Sequence, residues 1–363
     1  MSRARSRSCA RSRSRDESHE QPCAAGAHSK GKGRGGCTPT SDARCFHFSP
    51  RLGHTLNTQQ LHQAHHLGEP AIFEERVVPG GSTTCAYHVH QEHPDRAIGI
   101  VIAGNSGRPG GACGLRGHIH KVHVHHRTQE EDIVSSWMLA EAGEDPMEQD
   151  ALFNSTINEM WGLVDIDSSD TSTYQGVDYV STNDPRAFAD AWVVRNARVC
   201  VKSTTPLEFV VSQRTPCSLI FVAGPNARRP GRNAHGSMTR TSNRRACKSS
   251  EYTFFREAVK NAFRAALDSM IAEGIVVAIL AQLSGGVYAG PHREKIQQDY
   301  ASIITELLSE PMDVDNPFVM GVTRGHYFRS VILPRGVFVP GVLVQAQATA
   351  CQCLGLGPGS APQ

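Results

Sequence analysis

The sequence predicts an α/β domain of three layers, α/β/α, built on a mostly parallel mixed sheet. Two observations carry this. Short apolar runs rich in β-branched residues, bounded by glycine, read as strands buried on both faces. They are "AIGIVIAG" (97–104), "CSLIFVAGPN" (217–226) and "IVVAILAQLSGG" (275–286). Between and after them lie stretches with helical spacing, "TQEEDIVSSWMLAEAG" (128–143), "SEYTFFREAVKNAFRAALDSMIAEG" (250–274) and "REKIQQDYASIITELLSE" (293–310). Buried strands alternating with helices define an α/β sheet covered on both faces.

Taken in order, the chain opens with Arg/Ser dipeptides, "MSRARSRSCARSRSRDESHE", and continues rich in Gly, Ser and Lys. Nothing in residues 1–50 can bury a core, so this stretch reads as a disordered basic arm. Of 37 Lys+Arg and 35 Asp+Glu in the chain, residues 1–51 hold 11 and 4, a balance of +7. The remainder holds 26 and 31, a balance of −5, so the body is not a general nucleic-acid binder. Attraction to polyanions, including weak RNA contact, belongs to the arm, which is equally a nuclear-targeting segment or a solvated tail. The domain proper is expected over 51–345, with insertions at about 115–127 and 225–250 and a flexible tail at 346–363.

"HTLNTQQLHQAHHLG" (54–68) has helical spacing at Leu56, Leu61 and Ala64. The strand 97–104 follows, and then the helix from 128, stopped by Gly143. Residues 163–186 and 225–250 read as long loops. "RSVILP" and "GVFVPGVLVQAQ" are late strand candidates. Eleven cysteines without a CxxC pair argue against a disulfide scaffold or zinc finger and for an intracellular, reducing location, the arm favouring the nucleus. No apolar run reaches the roughly 20 residues of a membrane span, and no secretory signal opens the chain.

The chemistry-bearing features are two glycine-rich turns after buried strands. The first contains Gly104, Asn105, Gly110 and Gly111; the second, "LSGGVYAGP", contains Ser284, Gly285, Gly286 and Tyr288. Ligands of open α/β sheets bind beyond the carboxyl ends of strands. Glycine turns there let backbone N–H groups approach phosphate oxygens. No Walker lysine and no GxGxxG follow, which excludes P-loop hydrolysis and the dinucleotide fingerprint.

"IVIAGNSGRPGGACG", "TQEED", "SLIFVAGPN" and "VVAILAQLSGGVYAGPHREK" together resemble the successive landmarks of macrodomains, most closely the microbial-type poly(ADP-ribose) glycohydrolases, over about residues 55–310. The resemblance implies a macrodomain-like fold that binds ADP-ribose, poly(ADP-ribose) or ADP-ribosylated proteins without a cofactor or metal. It implies that Asn105 lies near the distal ribose and that Gly110 and Gly111 line the diphosphate and the distal ribose. It places Gln129 and Glu130 on the ribose and the catalytic group, makes Glu131 the acid, and forms a second phosphate loop from Ser284, Gly285, Gly286, Val287 and Tyr288. The family's three consecutive glycines read here Pro109-Gly110-Gly111-Ala112, and "LRGHIHKVHVHH" lengthens the gap before the carboxylates.

Cleaving a ribose–ribose bond requires a proton for the leaving oxygen, which one carboxylic acid can give before serving as base toward water. Adjacent Glu130 and Glu131 could keep that acid protonated by like charge. The same letters, Thr128-Gln-Glu-Glu131, also spell a capping box, in which Glu131 only closes a helix. A hydrolase, a silent ADP-ribose reader and an RNA-associated protein acting through its arm all remain open. The histidines of 118–126, and His88 with His90, alternate as on strands and are weak metal-ligand candidates. "VDIDSSD" (164–170) lacks EF-hand spacing and reads as a turn. Trp137, Trp161 and Trp192 are expected in the core.

Overall fold

The structure, a computed structural model, describes residues 44–48, 56, 69–104, 110, 128–157, 171–174, 177–182, 185–203, 208–225, 227, 245–247, 251–312 and 321–335. Residues 1–43 lie outside the described residues. So do the helical spacing of 54–68 apart from Leu56, the histidines of 118–126, Trp161, the aspartates of 164–170 and the strand candidate from 336.

Ten strands are described: β1 (Cys45–Phe48), β2 (Phe73–Val77), β3 (Ile98–Ala103), β4 (Thr171–Tyr174), β5 (Val177–Thr182), β6 (Ala191–Lys202), β7 (Phe209–Val222), β8 (Arg245–Cys247), β9 (Val277–Ile279) and β10 (Ser330–Arg335). Seven of them make one mixed sheet in the order β1-β6-β7-β3-β9-β10-β2. Pairing is parallel from β7 through β3, β9 and β10 to β2, and antiparallel at β1–β6 and β6–β7. β4, β5 and β8 form a second, three-stranded sheet. Those three lie within the stretches read from composition as loops: "TSTY" and "VDYVST" are short, β-branched pieces without the long apolar run that marks the central strands.

Five α-helices are described: α1 (Ser82–Glu92), α2 (Gln129–Ala142), α3 (Pro146–Ile157), α4 (Tyr252–Ala272) and α5 (Arg293–Ser309). α1, α2 and α3 pack on one another in chain order, and α4 packs on α5. β3 needs cover on both faces because its residues from Ile98 to Ile102 are all buried. The architecture is therefore α/β/α with a mostly parallel mixed sheet. Among the described residues no helix is long and apolar enough to cross a membrane.

β1 falls inside the stretch assigned to the basic arm. Its four residues pair antiparallel with β6, setting His47 opposite Trp192, and the two rings stack with centroids 4.5 Å apart. Phe46 lies beneath the Arg195 guanidinium at 5.4 Å. Burial of aromatic faces holds this short edge strand, a signal that arm composition hides. Trp137 is fully buried, and Trp192 packs at the margin of the core. β7 carries Pro216, which the sheet tolerates because β3 pairs only from Ser218 onward. His88 and His90 lie on α1 rather than on a strand, so about 200° of helical rotation parts them.

α4 and α5 are joined by a charged seam. Arg264 donates to both oxygens of Glu310, at 3.1 and 2.8 Å, and Lys260 pairs with Glu306 and Glu310, both at 3.1 Å. Arg256 also pairs with Glu306. Arg324, buried beneath them, donates to Asp268 at 2.6 Å, to the Leu307 carbonyl at 2.8 Å and to Glu310 at 2.8 Å. Partial burial raises the Glu310 carboxyl, but Arg264, Lys260 and Arg324 outweigh it and pull the group from 4.5 down to about 2. A folded-state value below the unfolded one adds stability that is complete above 4.5 and is lost as pH falls toward 2. Glu310→Gln should therefore flatten the fall of melting temperature across that interval, measured by thermal melts at stepped pH. An unchanged slope would contradict the assignment.

Candidate functional site

The site is built at the carboxyl edge of the main sheet. β3 and β9 are parallel neighbours, registered Ile98↔Val277 through Ile100↔Ile279. The turn after β3 and the turn after β9 therefore leave the sheet on the same edge, as does the end of β7, parallel to β3 on its other side. Gly104 extends that edge by donating to the Val222 carbonyl at 2.7 Å.

β9 is three residues long, and its chain leaves β3 after Ile279; the next N–H, of Leu280, goes to Ile332 of β10. Backbone groups alternate sides along a strand. With Gly104 bonded toward β7, Val101 and Ala103 face the side that β9 has left. Gln129, the first residue of α2, takes that place: its Oε1 accepts from the Ala103 N–H at 3.1 Å, and its Nε2 donates to the Val101 carbonyl at 2.9 Å. Nε2 also reaches Ser82 Oγ, at the start of α1, at 3.5 Å. The side chain that the family resemblance assigns to the ribose is thus bonded to the protein's own backbone. Its sequence signal, a glutamine at a helix start, gives no hint of this.

The following three residues are buried carboxylates, each with its own partner. Glu130 Oε1 accepts from the Gly110 N–H at 2.6 Å. Gly110 has a φ of 97°, which an L-residue rarely adopts, so the turn after β3 is shaped by glycine where it meets the helix. Glu131 closes the capping box: Thr128 Oγ1 accepts from the Glu131 N–H at 3.3 Å, and Glu131 Oε2 accepts from the Thr128 N–H at 2.8 Å. Asp132 pairs with Lys202 at 2.6 Å, both side chains buried. Asn105 and Gly111 lie outside the described residues.

The second turn is packed against the end of β7. Ser284 is buried with a φ of 54°, a left-handed conformation that costs a non-glycine residue on the order of 1–3 kcal/mol. A Cβ at Gly224, just past β7, would overlap the Ser284 hydroxyl. Gly285 sits against Tyr300, whose hydroxyl donates to the Leu283 carbonyl at 2.8 Å, and Gln297 Nε2 donates to the Gly285 carbonyl at 2.9 Å. Val287 opens the 3-10 helix Val287–His292, its side chain outside the described residues. The Tyr288 ring is partly exposed, and its carbonyl accepts from Ala227 at 2.8 Å.

The two glycines differ. A Cβ on Gly285 would overlap the Tyr300 hydroxyl and approach Cζ at 3.1 Å, whereas a Cβ on Gly286 meets nothing within 4 Å. Gly285 is small for packing; Gly286 faces open space. Cys200 and Cys85 are poor nucleophiles, since burial pushes the Cys200 thiol up and raises Cys85 to about 11. Among the described residues no group of three or more His, Cys, Asp or Glu is placed to hold a metal ion.

No protein-family model matches the chain, and no curated protein matches it. Solved structures are similar at a distance. One is poly(ADP-ribose) glycohydrolase from Deinococcus radiodurans in complex with ADP-ribose, at 13% identity and a TM-score of 0.47, covering 85% of this chain and 95% of that one. Another is poly(ADP-ribose) glycohydrolase from Thermomonospora curvata bound to the inhibitor ADP-HPD, at 13% identity and a TM-score of 0.43, covering 84% of each chain.

Gly285→Ala should destabilise the domain by about 1–3 kcal/mol through overpacking, while Gly286→Ala should leave the denaturation midpoint within about 0.5 kcal/mol of wild type. Chemical denaturation of both variants checks this. Equal stabilities would contradict the packing described.

Proposed function

We propose that this chain binds ADP-ribose, or a chain or protein bearing it, at the carboxyl edge of β3 and β9, and hydrolyses its glycosidic linkage. The observation that carries the reading is the convergence of three features on that edge: the glycine turn after β3, the buried Glu130 and Glu131, and the Ser284–Tyr288 turn. They are the elements on which the chain resembles poly(ADP-ribose) glycohydrolases in sequence. Each has a chemical use. Gly286 leaves room for backbone to approach a diphosphate, whose charged oxygens accept N–H bonds. Tyr288 offers a partly exposed ring beside that turn for the distal ribose. Ser284 stores backbone strain where a ligand clamp would sit.

In this reading Glu131 gives its proton to the leaving ribose oxygen as the anomeric carbon gains oxocarbenium character. The resulting carboxylate then takes a proton from the attacking water, which restores the acid and releases ADP-ribose with a new hydroxyl. Asn105, Gly110, Gly111 and Val287 serve as binding residues, and Glu130 orients the ribose.

The capping box favours a second reading, a reader without turnover. Glu131 Oε2 already accepts the Thr128 N–H and closes the first turn of α2, a structural use that needs no turnover. Three variants separate the readings. Glu131→Gln keeps the shape and can still serve the cap, so a proton donor shows as an about 10²–10⁴-fold loss of ADP-ribose release at unchanged ADP-ribose affinity. Glu130→Gln should be milder. Thr128→Ala weakens the cap without touching the carboxylate and should cost about 1 kcal/mol of stability while turnover is retained. The measurement is release of free ADP-ribose from poly(ADP-ribose) and from ADP-ribosylated protein. Equal release by wild type and Glu131→Gln refutes the catalytic role; binding without release by wild type leaves the reader.

A further inference from the structure

We infer that Lys202 is a positioning residue for the carboxylate turn: its ion pair with Asp132 fixes the rotation of α2 and so places Glu130 and Glu131. Its consequence for ligand rests on the ADP-ribose reading; its geometry does not.

The inference begins with the end of β6. Lys202 is the last residue of that strand, and its side chain is buried, 4% exposed. A buried ammonium is costly unless paired, and here Nζ donates to Asp132 Oδ2 at 2.6 Å. The Lys202 carbonyl accepts from Thr84 Oγ1 of α1 at 3.2 Å, so its backbone is held from a second side. Two residues earlier, Cys200 grips α2. Its carbonyl accepts from Ser136 Oγ at 2.8 Å, and its N–H donates to that oxygen at 2.7 Å.

Asp132 and Ser136 are four residues apart, and Gln129 is three before Asp132. At about 100° per residue, these three lie within about 60° of one another on α2. One face of the helix is therefore bonded at three points, to β3 through Gln129 and to β6 through Asp132 and Ser136. Glu130 and Glu131 then project about 100° and 200° from Gln129, where the first meets the Gly110 N–H and the second the Thr128 N–H. Of the three anchors, only Asp132–Lys202 joins opposite charges, and it lies in the same turn as the two glutamates. A buried ion pair adds little net stability over an apolar pair, but it discriminates strongly against arrangements that separate the charges. Rotating α2 by even one residue would strand both.

The test reads carboxylate placement without ligand, by hydrogen exchange of the full-length chain. The Thr128 and Gly110 amides donate to Glu131 and Glu130, so their protection reports where those carboxylates are. Lys202→Met should speed exchange at both amides at least tenfold while β3 and β9 keep their protection; Lys202→Arg, which retains the charge, should stay within threefold of wild type. If Lys202→Met fails to fold, the double variant Lys202→Met/Asp132→Asn leaves no buried unpaired charge and should show the same fast exchange at the two amides. Wild-type exchange there in either folded variant overturns the inference. So does an equal loss of protection across β3 and β9, which would mean general destabilisation. ADP-ribose titration of the same proteins is read separately. Lys202→Met should weaken affinity at least tenfold, and a wild type that does not bind sinks the ADP-ribose reading while exchange still decides the role of Lys202.

Discussion

The site depends on where β9 stops. Had β9 continued beside β3 past Ile279, Val101 and Ala103 would have found strand partners, and α2 would have had no backbone to dock on. Because it turns away, the Gln129 amide occupies the missing ladder position, and the first turn of α2 is pinned to the end of the central strand. The divergence also opens the turn that carries Ser284 and Gly286. One short strand thus creates both halves of the site: a gap filled by a helix start, and a loop released at the same edge. Backbone groups inside a domain must be paired, and that requirement turns a local break in the sheet into a fixed position for three consecutive carboxylates.

Charge reinforces the arrangement. Glu130, Glu131 and Asp132 are buried side by side at a helix N-terminus, where the macrodipole favours negative charge. A backbone N–H meets Glu130, another meets Glu131, and an ammonium meets Asp132. The partner sets the role available to each. Asp132 is tied to an ammonium, whereas Glu130 and Glu131 accept backbone N–H groups. The seam between α4 and α5 uses the same chemistry for a different end, binding two helices through Glu310 and the buried Arg324 rather than presenting groups to a ligand.

The central strands and long helices were legible because burial on two faces and amphipathic spacing leave direct marks: β3, α2, α4, α5 and the stop at Gly143 lie where the pattern puts them. The second glycine turn lies there too; of the first only Gly104 and Gly110 are described, and the shared edge follows from the parallel pairing of β3 and β9. The capping box was legible letter by letter. Other features were not. β1 hides in the arm because four residues held by ring stacking on Trp192 carry no periodic signal. β6, the strand that ends in Lys202, mixes Arg, Asn and Lys into an apolar run, so the buried lysine reads as a surface one. Gln129 reads as a helix starter, and only the geometry of β9 gives it a backbone to complete. Gly285 and Gly286, identical as letters, separate only when Tyr300 is seen behind the first.

The central claim is that this sheet edge binds a nucleoside diphosphate sugar through backbone turns. Isothermal calorimetry of the full-length protein with ADP-ribose, run beside Gly286→Val, tests it most directly. The account predicts one site per chain in the wild type. It predicts a loss of at least tenfold in affinity for the variant, since a side chain at Gly286 would keep charged oxygens from N–H groups whose bonds contribute roughly 1.5–3 kcal/mol each. Equal affinity in a folded Gly286→Val variant, or no heat of binding in the wild type, would contradict it.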